Sequence, residues 1–206
     1  MRLAPGAAVL LALACSAGCD RVLRPEERPV YAGWEEGLTL GYEDPTLPPD
    51  QRLEKRQQVR VKAVGANGSA LAVTRTFSSL SGQMDLQFLQ RNGGVALASG
   101  AVLLPEGFPD RVERWEARGV YNWVVGRAEA DLPGVRLPEA SRVGVWVESV
   151  ALDSGARIRT LFLPDIGEAE TLTWSRGRWN TTNLLVTRGF TDTPARPADS
   201  KAGSRP

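Results

Sequence analysis

Apolar and polar residues alternate along this chain with a period of two. Val59, Val61 and Ala63 alternate with Arg60 and Lys62, and Met84, Leu86 and Phe88 with Asp85, Gln87 and Leu89. Tyr121, Trp123 and Val125 form a further set, as do Val143, Val145 and Val147, then Ile158, Thr160 and Phe162, then Leu172 and Trp174. Successive side chains of a strand point to opposite faces, so this spacing predicts strands with one buried face. Turn residues fall between the runs at hairpin spacing: Asn67-Gly68, Asn92-Gly93-Gly94, Asp153-Ser154-Gly155 and Ser175-Arg176-Gly177. Gly and Asn tolerate the positive φ that tight hairpins need. The pattern predicts an all-β fold: an antiparallel meander of about ten strands in a curved half-barrel or barrel-like sheet.

Helix is scarce in this pattern. Asp50–Arg56 follows Pro48-Pro49, and Asp50 suits an N-cap. Arg111–Ala117 follows Pro109-Asp110 in the same way, and each segment fits a strand entrance equally well. The longest connections, 105–119 and 131–141, carry Pro105, Pro109, Pro133 and Pro138, and long loops often carry function.

Both ends read differently from the body. Met1–Gly6 carries one charge, Arg2, and Ala7–Ala14 is an apolar run of signal-peptide length, too short to span a bilayer. Ser16-Ala17-Gly18-Cys19 follows, and the chain then turns polar at Asp20-Arg21. This resembles the lipobox of bacterial lipoproteins. The resemblance implies cleavage before Cys19, acylation of Cys19 and a lipid-anchored body facing the periplasm. Two alternatives stay open: cleavage after Ala12-Leu13-Ala14, or modification at Cys15. Asp20 resembles an inner-membrane retention signal of enteric bacteria, but inner and outer membrane both stay open. The expected organisation is a signal peptide at 1–18, a Pro-bearing tether at 19–33, one β domain at 34–190 and a disordered tail at 191–206. The tail lacks the large apolar residues that would offset its ordering entropy.

Composition narrows the chemistry. The 206 residues include 25 basic and 24 acidic side chains, no histidine and two cysteines. Residues 1–19 hold Arg2 and no acid, so the remainder balances at 24 basic to 24 acidic. A balanced body lacks the basic footprint of a nucleic-acid binder. Without histidine there is no Ser-His-Asp triad or HExxH zinc site. Cys15 and Cys19 both precede the body, which therefore has no thiol nucleophile or cysteine metal site. No calcium loop or phosphate-binding loop occurs. Glu35, Glu36, Glu43 and Asp44 are the nearest thing to a carboxylate pair, and their spacing defines no catalytic separation. No catalytic residue, metal ligand or cofactor is expected, and the chain is read as a non-enzyme. Asn67-Gly68-Ser69 and Asn180-Thr181-Thr182 match a glycosylation pattern that the bacterial signal makes irrelevant.

Tryptophan carries what binding signal there is. Trp123 and Trp174 run in phase with apolar neighbours and are expected in the core. Trp146 is out of phase with Val143, Val145 and Val147 and is expected on the opposite face, where it is either exposed or covered by another element. Arg111, Arg114 and Arg118 flank Trp115 in a long connection, where they suit an anionic headgroup. The candidate ligand-binding residues are therefore Trp146, Trp115 and Arg114. The signal and the strand pattern over roughly residues 34–190 resemble the curved-sheet periplasmic lipoproteins of the LolA/LolB type. That resemblance implies an apolar or amphipathic, lipid-like ligand on a curved sheet. The alternative reading is a structural or interaction module that binds an envelope protein or a glycan through an exposed aromatic patch.

Overall fold

A computed structural model describes residues 29–67 and 70–191. The signal segment, Cys19 and the tail from 192 lie outside the described residues, as do Gly68 and Ser69 of the first predicted turn. The elements are β1 (Leu38–Glu43), α1 (Pro49–Glu54), β2 (Gln57–Asn67), β3 (Ala70–Ser79), β4 (Gly82–Arg91), β5 (Gly94–Leu97), β6 (Val102–Leu104), β7 (Arg114–Ala117), β8 (Val120–Glu129), β9 (Val143–Ala151), β10 (Arg157–Leu163), β11 (Gly167–Ser175) and β12 (Arg178–Phe190).

All twelve strands form one antiparallel sheet, ordered β6-β5-β4-β3-β2-β1-β12-β11-β10-β9-β8-β7. Every strand pairs with its sequence neighbour except at two places. β1 pairs with β12, which joins the two ends of the meander. β6 and β7 are the free edges, and residues 105–113 connect them. The sheet curls until opposite walls meet: Val95 and Leu104 share a buried cluster with Val145 and Val147. The result is a nearly closed barrel.

Three two-residue turns show why these hairpins form. Asn92-Gly93, Arg118-Gly119 and Arg176-Gly177 each place both residues at positive φ, between 48° and 78°. That is the conformation whose twist matches the flanking strands. The alternation sends Leu38, Leu40 and Tyr42, then Val59 and Val61, then Val73, to the interior.

Of the two readings left open for Arg111–Ala117, the strand is the one that forms: its second half is β7, held by pairing with β8, and Arg114-Trp115-Glu116 has a strand's alternation. Other expectations are corrected. α1 does form, but Pro48 occupies the cap position and no side chain caps it. Trp123 and Trp174 are not core. The inward residues of β8 are Val120, Asn122 and Val124, so Tyr121 and Trp123 lie outside. Trp174 stands opposite Trp179 and is 39% exposed.

The last residues of the segment expected as a tether are packed into the barrel. Tyr31 is 1% exposed and meets Phe108 edge-on at 5.2 Å. Phe108 in turn meets Trp115 at 5.7 Å and Phe162 at 6.3 Å. This aromatic cluster fills the end of the barrel where the chain enters. At the same end the backbone of residues 105–106 lies on β5. Gly94 permits that approach, since a Cβ there would stand 2.7 Å from the Glu106 amide nitrogen.

Candidate ligand-binding cavity

Antiparallel order puts α1 and the turns after β3, β7, β9 and β11 at the end of the barrel away from the aromatic cluster. Between the cluster and that end lies a cavity of about 390 Å3. Pockets of about 300–1,000 Å3 hold small ligands. Its wall is mostly apolar, with Val59, Phe77, Phe88, Val120, Val147, Ile158 and Phe162 among the lining residues. Ile158 and Phe77 come from strand ends near the α1 end, and Ile158 is 39% exposed. Leu80, Met84 and Leu152 are exposed apolar residues at or near the same end, so the mouth has an apolar rim.

One cation points into this space. β3 alternates Val73, Arg75 and Phe77 inward, so Arg75 stands at mid-wall opposite Val61 and Leu86. Its guanidinium lies 4.6 Å from the Trp34 ring centre and 5.6 Å from that of Phe88. Nη2 donates to the Gly33 carbonyl at 2.6 Å, while Nε is buried without a partner among the described residues. A guanidinium offers five N–H donors and stays charged even when burial lowers its pKa, as it does here. Among the described residues no carboxylate lies within 4.0 Å of Arg75.

Glu168 is the one carboxylate among the lining residues. A β-bulge opposite Leu161 and Phe162 turns it inward. The barrel wall surrounds Glu168, yet its side chain keeps open surface because it fronts the cavity instead of packed atoms. Burial raises its carboxyl pKa, and the positive charge of Arg75 opposes that shift. Tyr42 donates its hydroxyl to the Glu168 carbonyl at 2.9 Å, and burial pushes that hydroxyl pKa upward. On the facing wall Asn122 accepts from Ser149 Oγ at 2.7 Å and donates to the Val120 carbonyl at 3.1 Å. Those polar groups are satisfied. The indole nitrogens of Trp34 and Trp115 are buried and have no partner among the described residues. The cavity thus offers one cation, a greasy wall and a single carboxyl, which is not the pair that acid-only glycoside hydrolysis needs. Among the described residues no group of three or more metal-binding side chains occurs, and no helix is long and apolar enough to cross a membrane.

The structure separates the three residues singled out from sequence. Trp115 faces inward from β7 and lines the cavity. Arg114, its neighbour, is exposed on the outer face opposite Trp123. Trp146 is on the outer face of β9, half-buried, while Val145 and Val147 face inward. It packs against the cluster that holds Leu132, Leu161 and Leu163, together with Val135 and Leu137 of the 130–141 connection. That connection covers the face of the sheet on which Trp146 stands.

Sequence reasoning missed Arg75 and Glu168. Arg75 carried a signal, a charge at the inward phase between Val73 and Phe77. Glu168 carried none, because a bulge decides its face. It also missed an outer-face constellation. Glu148 is 1% exposed and accepts from Arg157 Nε at 2.9 Å and from Arg159 Nε at 2.7 Å. Arg159 lies 4.5 Å from the Trp179 ring centre, and Arg157 lies over both Trp174 and Trp179.

No protein family and no curated protein matches the sequence. Among solved structures, an exported protein of Bacteroides fragilis with a YmcC-like fold aligns over 79% of this chain and 100% of its own, with 10% identity and a TM-score of 0.51. A lipoprotein of Parabacteroides distasonis aligns over 78% of this chain and 99% of its own, with 10% identity and a TM-score of 0.46. At such identity the first likeness shows a shared fold: this chain has the same kind of curled antiparallel meander.

Proposed function

We propose that the chain is an envelope lipoprotein, anchored through Cys19, whose barrel holds an amphipathic, lipid-like ligand without transforming it. The observation that carries this reading is the cavity: apolar walls, an apolar rim at its mouth, and a charged group at mid-depth. A core built for stability alone would fill that volume with side chains. The chain enters the barrel at the end opposite the mouth.

Native mass spectrometry of the full chain extracted from cells tests the reading. A lipid-mass adduct is expected, and Ser149→Trp, which places an indole in the cavity, is expected to abolish it. A wild-type protein that carries no adduct and takes up no added lipid contradicts the proposal. The second reading, an interaction module, is favoured by the outer aromatic row, since Tyr121 is 38% and Trp174 is 39% exposed. It predicts that Trp174→Ala loses a cross-linked envelope partner while Ser149→Trp keeps it.

A further inference from the structure

Resting on that reading, we infer that the ligand is an anionic amphiphile whose oxyanion head, carboxylate or phosphate, pairs with Arg75, with its chain running past Phe77 and Ile158 to the mouth. Arg75 is the one cation among the lining residues, and Phe77 and Ile158 stand between it and the mouth beside the neutral polar side chains of Gln57, Asn122 and Ser149. Among the described residues Arg75 has one hydrogen bond, from Nη2 to the Gly33 carbonyl, and a buried Nε with none. A buried cation without a counter-ion is costly, and charges kept inside proteins are normally paired. Here the pairing partner within the barrel would be Glu168, but it stands beyond ion-pair distance. Burial also raises its carboxyl pKa, which weakens it as a counter-ion. Stacking on Trp34 and Phe88 fixes the plane of the guanidinium and leaves its remaining N–H groups for a ligand. The alternative use of Arg75, tying the entering chain to the wall through Gly33, accounts for one donor out of five.

The test uses the full chain and a neutral dye, Nile red, displaced in turn by decanoate, decyl phosphate and decanol. The wild type is expected to bind at least one oxyanion about tenfold or more tightly than decanol, the factor one charge-assisted hydrogen bond carries. Arg75→Met is expected to erase that preference while leaving decanol within about twofold of its wild-type affinity, and Arg75→Lys to retain part of it. A preference for decyl phosphate supports the same assignment with a phosphate head. If wild-type protein binds decanol as tightly as both anions, the head-group assignment is overturned and lipid binding stands. If it binds neither dye nor amphiphile, both readings fall. The comparison on the wild type needs no variant, so it decides the matter even if Arg75→Met does not fold.

Discussion

The outer-face cluster around Glu148 permits a sharp test, because its members differ in burial. The Glu148 side chain is 2% exposed, whereas those of Arg157 and Arg159 are 40% and 31% exposed. Removing the two arginines strands a carboxylate where water barely reaches. Loss of the partners of a buried charge costs about 3–5 kcal/mol. Removing the carboxylate leaves two guanidiniums that already touch solvent and rest on Trp174 and Trp179. Their lost pairing is screened and costs about 1 kcal/mol. Arg157→Met/Arg159→Met is therefore expected to destabilise the barrel by at least about 2 kcal/mol more than Glu148→Met. The triple replacement is expected to recover most of that loss, since no buried charge remains. Urea denaturation followed by far-ultraviolet circular dichroism, with m held constant, gives the comparison. If the double arginine variant is no less stable than Glu148→Met, the reasoning is refuted and Glu148 is solvated in solution.

Two further predictions concern the barrel interior. Tyr31→Ala removes a fully buried ring from the aromatic cluster and is expected to cost about 3–5 kcal/mol by the same denaturation; an effect under about 0.5 kcal/mol, typical of a surface position, would return Tyr31 to the tether. Glu168 binds its proton more tightly in the folded chain than its ordinary value of 4.5, so the stability it contributes is complete below that pH and is lost as pH rises through the folded value. Glu168→Gln, which cannot ionise, is expected to gain on the wild type in melting temperature from about pH 4 to pH 8, and parallel curves would contradict the shift.

Fold class was legible because alternation and turn chemistry agree along most of the body. Val59-Arg60-Val61 and Asn92-Gly93 each state their structure locally. The faces were less legible. The start of β8 is apolar on both sides, and the polar residue that faces inward there, Asn122, is satisfied by Ser149 and the Val120 carbonyl, partners no local pattern reveals. Trp123 therefore read as core and lies outside. Bulges had the same effect: one extra residue at Ala169 reverses the side on which Glu168 stands. Of the expected site residues, Arg114 and Trp115 came from aromatic and arginine spacing in a presumed loop. Pairing with β8 makes that loop a strand, so Arg114 and Trp115 part to opposite faces. Burial of a charge without its counter-ion, which marks Arg75, is a property of twelve strands closing together and not of any window of sequence.

Crystallography with a decanoate brominated at its terminal carbon tests the central claim most directly, because anomalous scattering locates the far end of the ligand. The account predicts carboxylate density within hydrogen-bond distance of Arg75 and a bromine peak inside the barrel, near Phe77 and Ile158. A bromine peak at mid-wall with the carboxylate at the mouth, or an interior filled by rearranged side chains with no bromine in it, would contradict it.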